Sequence, residues 1–433
     1  IRCMTRLRRD CWEIRTSKWR PAAIVFLVLT ALIGCSAEAA PHDNRAHERL
    51  DVDPSLTLAM VVDAALAEYP ERPVLEARQE QAEAWHRRGR SLLQDRPSLL
   101  LLYRSDRWGA DTGLEEQVGG IALPLWTWGG RSAVRALGDA MMTESKAAQT
   151  ALRWEVAGIV RESLWNVALA ENAHELAEQS LETAVRLVEI VERRYELGDV
   201  AQLDLLLAQS SQLEYQTALI DADAALLDAE RTYRVVTGLN RRPDFVAESL
   251  SETGEITPAH PLLALADIAV ARADADVEVT KKTENTGTTL LIGTQRERAP
   301  YGTSYDDSIS VTVNVPLGGG AHRGTEISAS ARAASETRAA RNRELRMLTL
   351  EMHEAAHRLA VVRENYAAAS QRVEIVERHA GMGDLAYERG EIELIDLLKI
   401  KETAIAARRH AMRLQIDEKR QMALYNQAVG ELP

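Results

Sequence analysis

The sequence is poor in the residues that normally fill a compact core. Among 433 residues there are two Phe, and aromatic residues make up 5% of the chain, although aromatic rings usually dominate globular cores. Ala and Leu carry the apolar content instead, as expected for helices packed side by side. The net charge is -13, whereas nucleic-acid binding requires a basic surface. We therefore expect a mainly helical protein without a nucleic-acid partner.

Cysteine is nearly absent, and all three copies lie at the N-terminal end, at Cys3, Cys11 and Cys35. Basic residues precede an apolar run at 22–34, which predicts a signal peptide at 1–34. The run is too short for a transmembrane helix, which needs about 20 residues. Cleavage anywhere from 34 to 39 would remove the first two cysteines, so no disulfide scaffold is expected.

Two cleavage patterns compete at the end of this segment. Leu32-Ile33-Gly34-Cys35 is similar to a bacterial lipoprotein cleavage box, in which Cys35 becomes the acylated first residue. Ala37-Glu38-Ala39 instead fits ordinary secretion. We favour lipidation of Cys35, because a structural cysteine there would have no partner. No later run reaches the 18 apolar residues of a spanning helix, so a membrane role would require β-strands.

Proline is missing from two long stretches, between Pro124 and Pro243 and between Pro316 and Pro433. Proline breaks helix interiors, so both stretches can form long helices. They are copies of each other: RRYELGDVAQLDLLLAQ (193–209) returns as LAYERGEIELIDLLKIK (385–401), with an offset of 192 residues. The chain is therefore an internal duplication.

Each proline-free stretch predicts a helical hairpin. A helix from about Arg131 to Leu197 would be about 100 Å long, and Gly198 and Gly390 would end the long helices in the left-handed conformation. The second half carries a clear heptad seam: Leu345, Leu348, Met352, Ala355, Leu359, Val362, Tyr366, Ala369, Val373, Val376 and Ala380. The first-half seam is weaker, with Val160, Val167, Leu181 and Val188 but also Ser163 and His174.

The segments before the long helices have the strand period of two. The clearest, at 307–315, places Ile309, Val311, Val313 and Val315 on one face and Ser310, Thr312 and Asn314 on the other. Further strands are predicted at 98–107, 116–125 and 288–298. Each has about the 9–11 residues that cross a bilayer when tilted, with the apolar face toward lipid. Four strands cannot close a barrel, so several copies would combine.

The two hairpin tips, the segment PLWTWGGR (124–131), its counterpart PLGGGAHR (316–323) and the duplication together resemble the TolC-type outer membrane efflux family. The resemblance runs from Leu56 to Leu432. It implies a mainly α fold with a small β part. A long antiparallel α-helical barrel would join four transmembrane strands per protomer, and the homotrimer would form a 12-stranded outer-membrane barrel.

The same resemblance implies the domain plan and the function. A linker at 35–54 would follow the signal peptide, then repeats at 55–245 and 246–433 with β-hairpins at 98–125 and 288–317. The protein would be the passive outer-membrane duct of a tripartite efflux system, and its general features resemble the metal-exporting branch. Its partners would be a periplasmic adaptor, an RND-type inner-membrane pump and outer-membrane lipid. The alternative is a periplasmic coiled-coil scaffold lipoprotein without a pore.

By the resemblance, the tips at 198–203 and 390–394 dock the adaptor, through Gly198, Asp199, Val200, Leu203, Gly390, Glu391, Ile392 and Leu394. Asp396, with its counterpart Asp204, is a candidate for a carboxylate ring that narrows the entrance. Both aspartates also fit a simpler role as caps of the returning helices. Lys399 stands where another carboxylate can occur, which weakens the ring hypothesis.

One catalytic pattern occurs in the chain. His353-Glu354-Ala355-Ala356-His357 fits the HExxH motif of zinc peptidases. Ala355 belongs to the heptad seam, so both histidines should face outward, and a convincing third ligand is missing. The equivalent positions in the first half read Arg161-Glu162-Ser163-Leu164-Trp165. We therefore predict no enzyme, no cofactor and no dedicated metal site.

Overall fold

The structure, a computed structural model, describes residues 49–244, 248–283, 288–298, 301–316 and 320–433. These residues belong to one compact unit. The predicted signal peptide, Cys35 and the linker up to residue 48 lie outside the described residues, as do residues 317–319 of the segment PLGGGAHR.

The described elements alternate in two similar series. The first contains β1 (Asp51–Val52), α1 (Leu58–Ala67), α2 (Arg72–Arg90), β2 (Ser98–Ser105), β3 (Glu115–Pro124), α3 (Gly130–Glu196) and α4 (Gln202–Thr237). The second contains β4 (Arg241–Arg242), α5 (Pro261–Thr283), β5 (Thr289–Arg298), β6 (Asp306–Asn314), α6 (Gly320–Glu388) and α7 (Leu394–Ala428). The four predicted long strands agree with β2, β3, β5 and β6 to within two residues.

The two long helices have nearly the same length, 67 residues in α3 and 69 in α6. At 1.5 Å per residue, each is about 100 Å long. The returning helices α4 and α7 have 36 and 35 residues and pack antiparallel against α3 and α6. This arrangement confirms the predicted pair of helical hairpins.

The seam predicted on α6 faces α7. All eleven seam residues are buried or half-buried, and Ala369 forms a small cluster with Ala411 and Leu414 of α7. Small and aliphatic residues at these positions let the two helices approach along their whole length. The opposite side of α6 is exposed over most of the helix.

Helix α3 differs because it is covered on more than one side. It contacts α2, α4, α5 and α7, and the main apolar cluster joins it to α1 and α4 around Val156, Val160 and Tyr233. The burial extends well beyond one heptad stripe, which explains why the first-half seam is hard to recognise in the sequence.

The four long strands form one antiparallel sheet in the order β2-β3-β5-β6. Each hairpin contributes two strands, and β3 pairs with β5 at the centre, where Gly120 lies opposite Gly293. A separate parallel pair joins β1 to β4. Among the described helices, none combines the length and the apolarity that crossing a bilayer demands.

Candidate functional site

The sheet has one face that is apolar over its central rows. Residues directly opposite in antiparallel strands point to the same side, and the register aligns Leu99 with Ile121, Ile121 with Ile292, and Ile292 with Val311. The same face carries Leu101, Leu123, Leu290, Ile309 and Val313. Several of these side chains are exposed. This face has the composition that a lipid-facing surface needs.

The other face is more polar. Ser310, Thr312 and Asn314 point to it, as predicted, together with Gln295 and Glu297 of β5. Strand β2 departs most from this pattern, because Leu100 and Leu102 also point to this face and β2 thus has leucines on both sides. The alternation in β6 suits a wall between an apolar and an aqueous environment.

Both hairpin tips have the same backbone. Gly198 and Gly390 adopt φ values of 80° and 74°. The amides of Gly198 and Asp199 donate to the carbonyls of Tyr195 and Arg194, at 2.9 Å each. In the second tip, Gly390 and Glu391 donate to Tyr387 and Ala386 at 3.0 and 2.8 Å. Two such bonds define a Schellman motif, and glycine tolerates the positive φ.

The tips pack against each other within one protomer. Leu187, Val191 and Ala208 of the first hairpin meet Tyr387, Leu394 and Leu397 of the second in one apolar cluster. Arg194 lies over the Tyr387 ring, 4.8 Å from its centroid, and donates to the carbonyls of Tyr387 and Glu388 at 3.4 and 3.5 Å. The first tip is therefore attached to the second by an arginine.

Seven of the eight predicted docking residues are at least partly accessible. Gly198, Asp199, Gly390 and Glu391 are exposed, Val200 and Ile392 are half-buried, and Leu203 is 75% exposed.

Leu394 differs from the other predicted docking residues because it is 3% exposed and packs in the tip cluster. At the offset of 192 residues its counterpart is Gln202, which is exposed. The counterpart of Leu203 is Ile395, which is 45% exposed. Leu394 therefore supports the second tip from inside the protomer, and Ile395 is the residue that matches Leu203 at the surface.

The two candidate entrance aspartates differ in their surroundings. The Asp204 carboxylate accepts a hydrogen bond from the Ala201 amide at 3.3 Å, which is a capping interaction at the start of α4. The Asp396 carboxylate lies 3.5 Å from the ammonium group of Lys399. Both groups of that pair are exposed, so the attraction between them is weak.

The HExxH segment lies on α6 as predicted. Ala355 is buried in the seam, and His353 and His357 are exposed on the other side of the helix. Glu354 forms an ion pair with Arg358 at 2.8 Å. Across the described part of the protomer, no three His, Cys, Asp or Glu residues are grouped so that they could hold a metal ion.

A buried polar network that no sequence pattern predicts lies where α3 meets α7. Arg161 is 1% exposed and donates from Nε and Nη2 to both carboxylate oxygens of Glu248 at 2.9 and 2.8 Å. It also donates to the side chain of Gln427. The side chain of Asn426 donates to Glu248 at 3.4 Å. Nothing in the local sequence marks Arg161, because its partners are 87 and 266 residues away.

A buried histidine lies beside this network. The His260 ring stands edge-on to Trp154, with centroids 5.2 Å apart, and its Nδ1 accepts a hydrogen bond from the Leu262 amide at 3.3 Å. Burial lowers the pKa of His260 below its ordinary value. The histidine is therefore neutral at pH 7, and its Nδ1 accepts a hydrogen bond from the first turn of α5.

The comparisons with known proteins agree with this geometry. The model of the family described as outer membrane efflux protein matches residues 61–239. The resemblance to the outer membrane efflux family is confirmed. No curated protein matches the chain in sequence.

Several solved structures have the same fold as this chain. The outer membrane channel CmeC of Campylobacter jejuni has a TM-score of 0.66 at 16% identity, covering 86% of this chain and 85% of its own. The outer membrane protein VceC of Vibrio cholerae has a TM-score of 0.68 at 15% identity, covering 87% of this chain and 97% of its own. CusC, whose structures show transmembrane channel formation, has a TM-score of 0.69 at 14% identity, covering 89% of this chain and 94% of its own.

Proposed function

We propose that the chain is the outer-membrane channel of a tripartite efflux system and works as a homotrimeric passive duct. The fold shared with outer membrane channels carries the proposal. The apolar face of the sheet would meet lipid, and the long helices would extend into the periplasm. The duct itself would catalyse no reaction, and an inner-membrane pump would supply the energy.

The edges of the protomer support assembly from several copies. Among the strands that the structure describes, β2 and β6 each pair on one side only, and an open edge is not tolerated in lipid. Among the helices, α4 contacts α3, α3 contacts α7 and α7 contacts α6, so α4 and α6 lie at the two ends of the row. Three copies would join β2 to β6 and α4 to α6, and would give 12 strands.

Apolar side chains on the edge helices support the same arrangement. Along α6, exposed residues recur at heptad-like spacing, at Met347, Leu350, Val361, Ile375, Met382 and Leu385. Along α4, above the tip, they are Leu206, Leu213 and Ile220. Two such stripes can form a coiled-coil seam between neighbouring copies.

The tips are proposed as the periplasmic entrance and the adaptor-docking surface. Two similar tips per protomer would give six around the mouth, so that weak contacts multiply by symmetry. Asp396 would line the entrance, with Lys399 reducing the effect of its charge. Acylation of Cys35 would add a lipid anchor.

The direct test is reconstitution of the purified protein into planar bilayers, with its mass measured in detergent. We expect a trimer and discrete conductance steps. A trimer with very small conductance would indicate a closed entrance, and variants that loosen the tips should then open it. A water-soluble monomer that never inserts would contradict the duct and favour the scaffold.

A variant pair tests the tips. Leu203→Asp should leave the stability of the trimer unchanged and abolish binding of the cognate adaptor, because the side chain is exposed. Leu394→Ala should instead destabilise the tip by about 2–5 kcal/mol, because it removes a buried side chain. Normal adaptor binding by Leu203→Asp, measured with the purified components, would exclude Leu203 from the docking surface.

A further inference from the structure

The duplication extends to individual contacts and not only to the order of the helices. A side chain at Gly238 would meet Glu68, and one at Gly430 would meet His260. Both members of the second contact are 192 residues after those of the first. The packing of one repeat is therefore a guide to the packing of the other, residue by residue.

The junction between the two repeats is formed by α3 and α7. The Trp154 indole donates to the Gln427 carbonyl at 2.9 Å, and the Gln427 side chain donates to the Trp154 carbonyl at 2.7 Å. Further along the two helices, Arg420 lies 3.6 Å from Glu162, and Trp165 shares a small cavity with Ile416. This junction covers Arg161 and Trp165 almost completely.

The equivalent surfaces at the two ends of the row are open. On α6 the counterparts of Arg161 and Trp165 are His353 and His357, and both are exposed. On α4 the counterparts of Ile416, Arg420 and Gln427 are Ala224, Asp228 and Val235, and these are exposed too. In the proposed trimer, α4 of the next copy would cover α6 as α7 covers α3.

This correspondence places Asp228 of the next copy at the height of the histidine pair, between the positions on α4 that would face His353 and His357. Within the protomer, Glu162 faces Arg420, an attractive pair; between copies, Glu354 would face Asp228, which is a repulsive one. The nearby arginines offset this in part, since Arg358 pairs with Glu354 at 2.8 Å and Arg231 lies 3.5 Å from Asp228. All four of these side chains are at least half exposed in the protomer.

The histidines are suited to hold a cation there. They are four residues apart on a helix, so both rings lie on one side of α6. Neither histidine makes a hydrogen bond or ion pair with another residue that the structure describes. Two imidazoles and one carboxylate are a ligand set that suits Zn²⁺, with a fourth position left for water.

We propose that His353 and His357 of one copy and Asp228 of the next form a binding site for a divalent transition-metal ion at each subunit junction. The site rests on the trimeric assembly of the proposed function, because the carboxylate comes from a second copy. The ion would replace the attraction that Glu162 and Arg420 supply inside the protomer. It would link the copies at mid-height of the long helices and would not take part in a reaction.

The test uses the full trimer in detergent, stripped of metal and titrated with Zn²⁺. We expect three ions per trimer and a rise in the temperature at which the trimer dissociates. His353→Ala combined with His357→Ala should abolish binding. Asp228→Asn should weaken it at least about tenfold, since losing even a supporting group around a metal costs 10–100-fold. His410→Ala and Asp221→Asn, which alter exposed residues elsewhere on α7 and α4, should change neither quantity.

The outcomes separate this proposal from the one on which it rests. A stable trimer that binds no Zn²⁺, or binds it equally well after Asp228→Asn, would overturn the junction site and leave the duct intact. Undiminished binding by dissociated protomers would show adventitious binding by the histidine pair alone and also overturn it. Failure of the chain to form a trimer at all would count against the duct itself and overturn the junction site with it.

Discussion

Helices α3 and α6 occupy equivalent positions in the two repeats, and they differ in how much of their surface is covered. On α3, Trp154, Arg161 and Trp165 are buried. On α6, the counterparts Arg346, His353 and His357 are exposed. The local conformation is the same in both helices, so the difference lies in the neighbours. One protomer therefore covers the middle of the first long helix more completely than the middle of the second.

The two tips show the same difference in coverage on a smaller scale. Their turns are the same, yet Tyr387 is 6% exposed and Tyr195 is 39% exposed. Tyr387 is covered by the first tip of its own protomer, whereas nothing in the described protomer covers Tyr195 to that extent. Two copies of one sequence pattern thus occupy an internal position and an edge position.

The largest effect is expected at the internal junction. Arg161→Ala would leave Glu248 partly buried without its main partner, and breaking a buried ion pair from one side costs about 3–5 kcal/mol. His353→Ala, at the counterpart position, should change the stability of the isolated protomer by less than about 0.5 kcal/mol. Thermal unfolding of both variants would measure the contrast.

A second variant separates charge from packing at this junction. Arg161→Met keeps most of the side-chain volume but still leaves the carboxylate unpaired, so it should be nearly as harmful as the alanine variant. Glu248→Gln, combined with Arg161→Met, should recover part of the loss. Similar stabilities for Arg161→Ala and His353→Ala would contradict the contrast between the two repeats.

The next effect concerns the glycines that end the returning helices. Gly238 and Gly430 have φ values of 69° and 90°, so alanine at either position costs about 1–2 kcal/mol of backbone strain. At Gly430 the added Cβ would also lie 2.7 Å from the His260 ring, whereas at Gly238 it would lie 3.2 Å from the flexible end of Glu68. We expect Gly430→Ala to lower stability by about 1–3 kcal/mol more than Gly238→Ala does.

Gly198→Ala and Gly390→Ala provide the reference for this pair. Both tip glycines have positive φ, and beyond the adjoining residues no atom of the described protomer lies within 4 Å of an added Cβ. These variants should therefore show the backbone cost alone, and the same cost at both tips. If Gly430→Ala and Gly198→Ala were equally destabilising, the close approach of His260 would have no energetic weight.

A smaller effect is expected from the arginine that joins the tips. Arg194→Ala removes the contact with the Tyr387 ring and two hydrogen bonds to carbonyls. A cation–π contact near the surface contributes about 0.5–1 kcal/mol, so folding should be preserved while the tips separate more easily. We expect a higher conductance in planar bilayers. Arg193→Ala, which alters an exposed neighbour, should conduct as the unmodified protein does.

The periodic parts of this fold could be predicted from the sequence, for a physical reason. The seam of α6 faces a single partner, α7, so its burial follows one heptad stripe and is readable in the sequence. Strand β6 is equally readable, because one apolar face of a sheet imposes a period of two. Both predictions depend only on local geometry and on which side of an element is covered.

The interactions that could not be predicted depend on long-range contacts. Arg161 reads as a surface residue of a helix until Glu248 and Gln427 are placed beside it. Leu394 reads as an exposed tip residue, but it is buried because the first hairpin packs over it. At both positions the two repeats have different neighbours within one protomer, so the burial of a residue could not be predicted from its counterpart in the other repeat.

The smallest predicted effect is a pH dependence at His260, which has Glu68 as its counterpart. Burial lowers the pKa of His260 in the folded protein, while the unfolded chain has a pKa of about 6.5. The stability that depends on the neutral ring is therefore fully present above the pKa of the unfolded chain. It is lost as the pH falls from that value through the lower pKa of the folded protein. Protonation of Nδ1 would also remove the acceptor of the Leu262 amide.

His260→Gln should remove this part of the pH dependence, even though it lowers stability overall by the loss of the contact with Trp154. The measurement is the difference in unfolding temperature between pH 7.5 and pH 5.5 for both proteins. The unfolding temperature of the unmodified protein should fall more on acidification than that of His260→Gln, because only the unmodified protein has a buried imidazole that must take up a proton. Equal losses in both proteins would assign the acid sensitivity to other groups. A Glu68→Gln variant should keep the histidine-dependent loss in full. Glu68 is the counterpart of His260 in the first repeat, but it is a flexible carboxylate beside Gly238, whereas His260 is a buried ring beside Gly430.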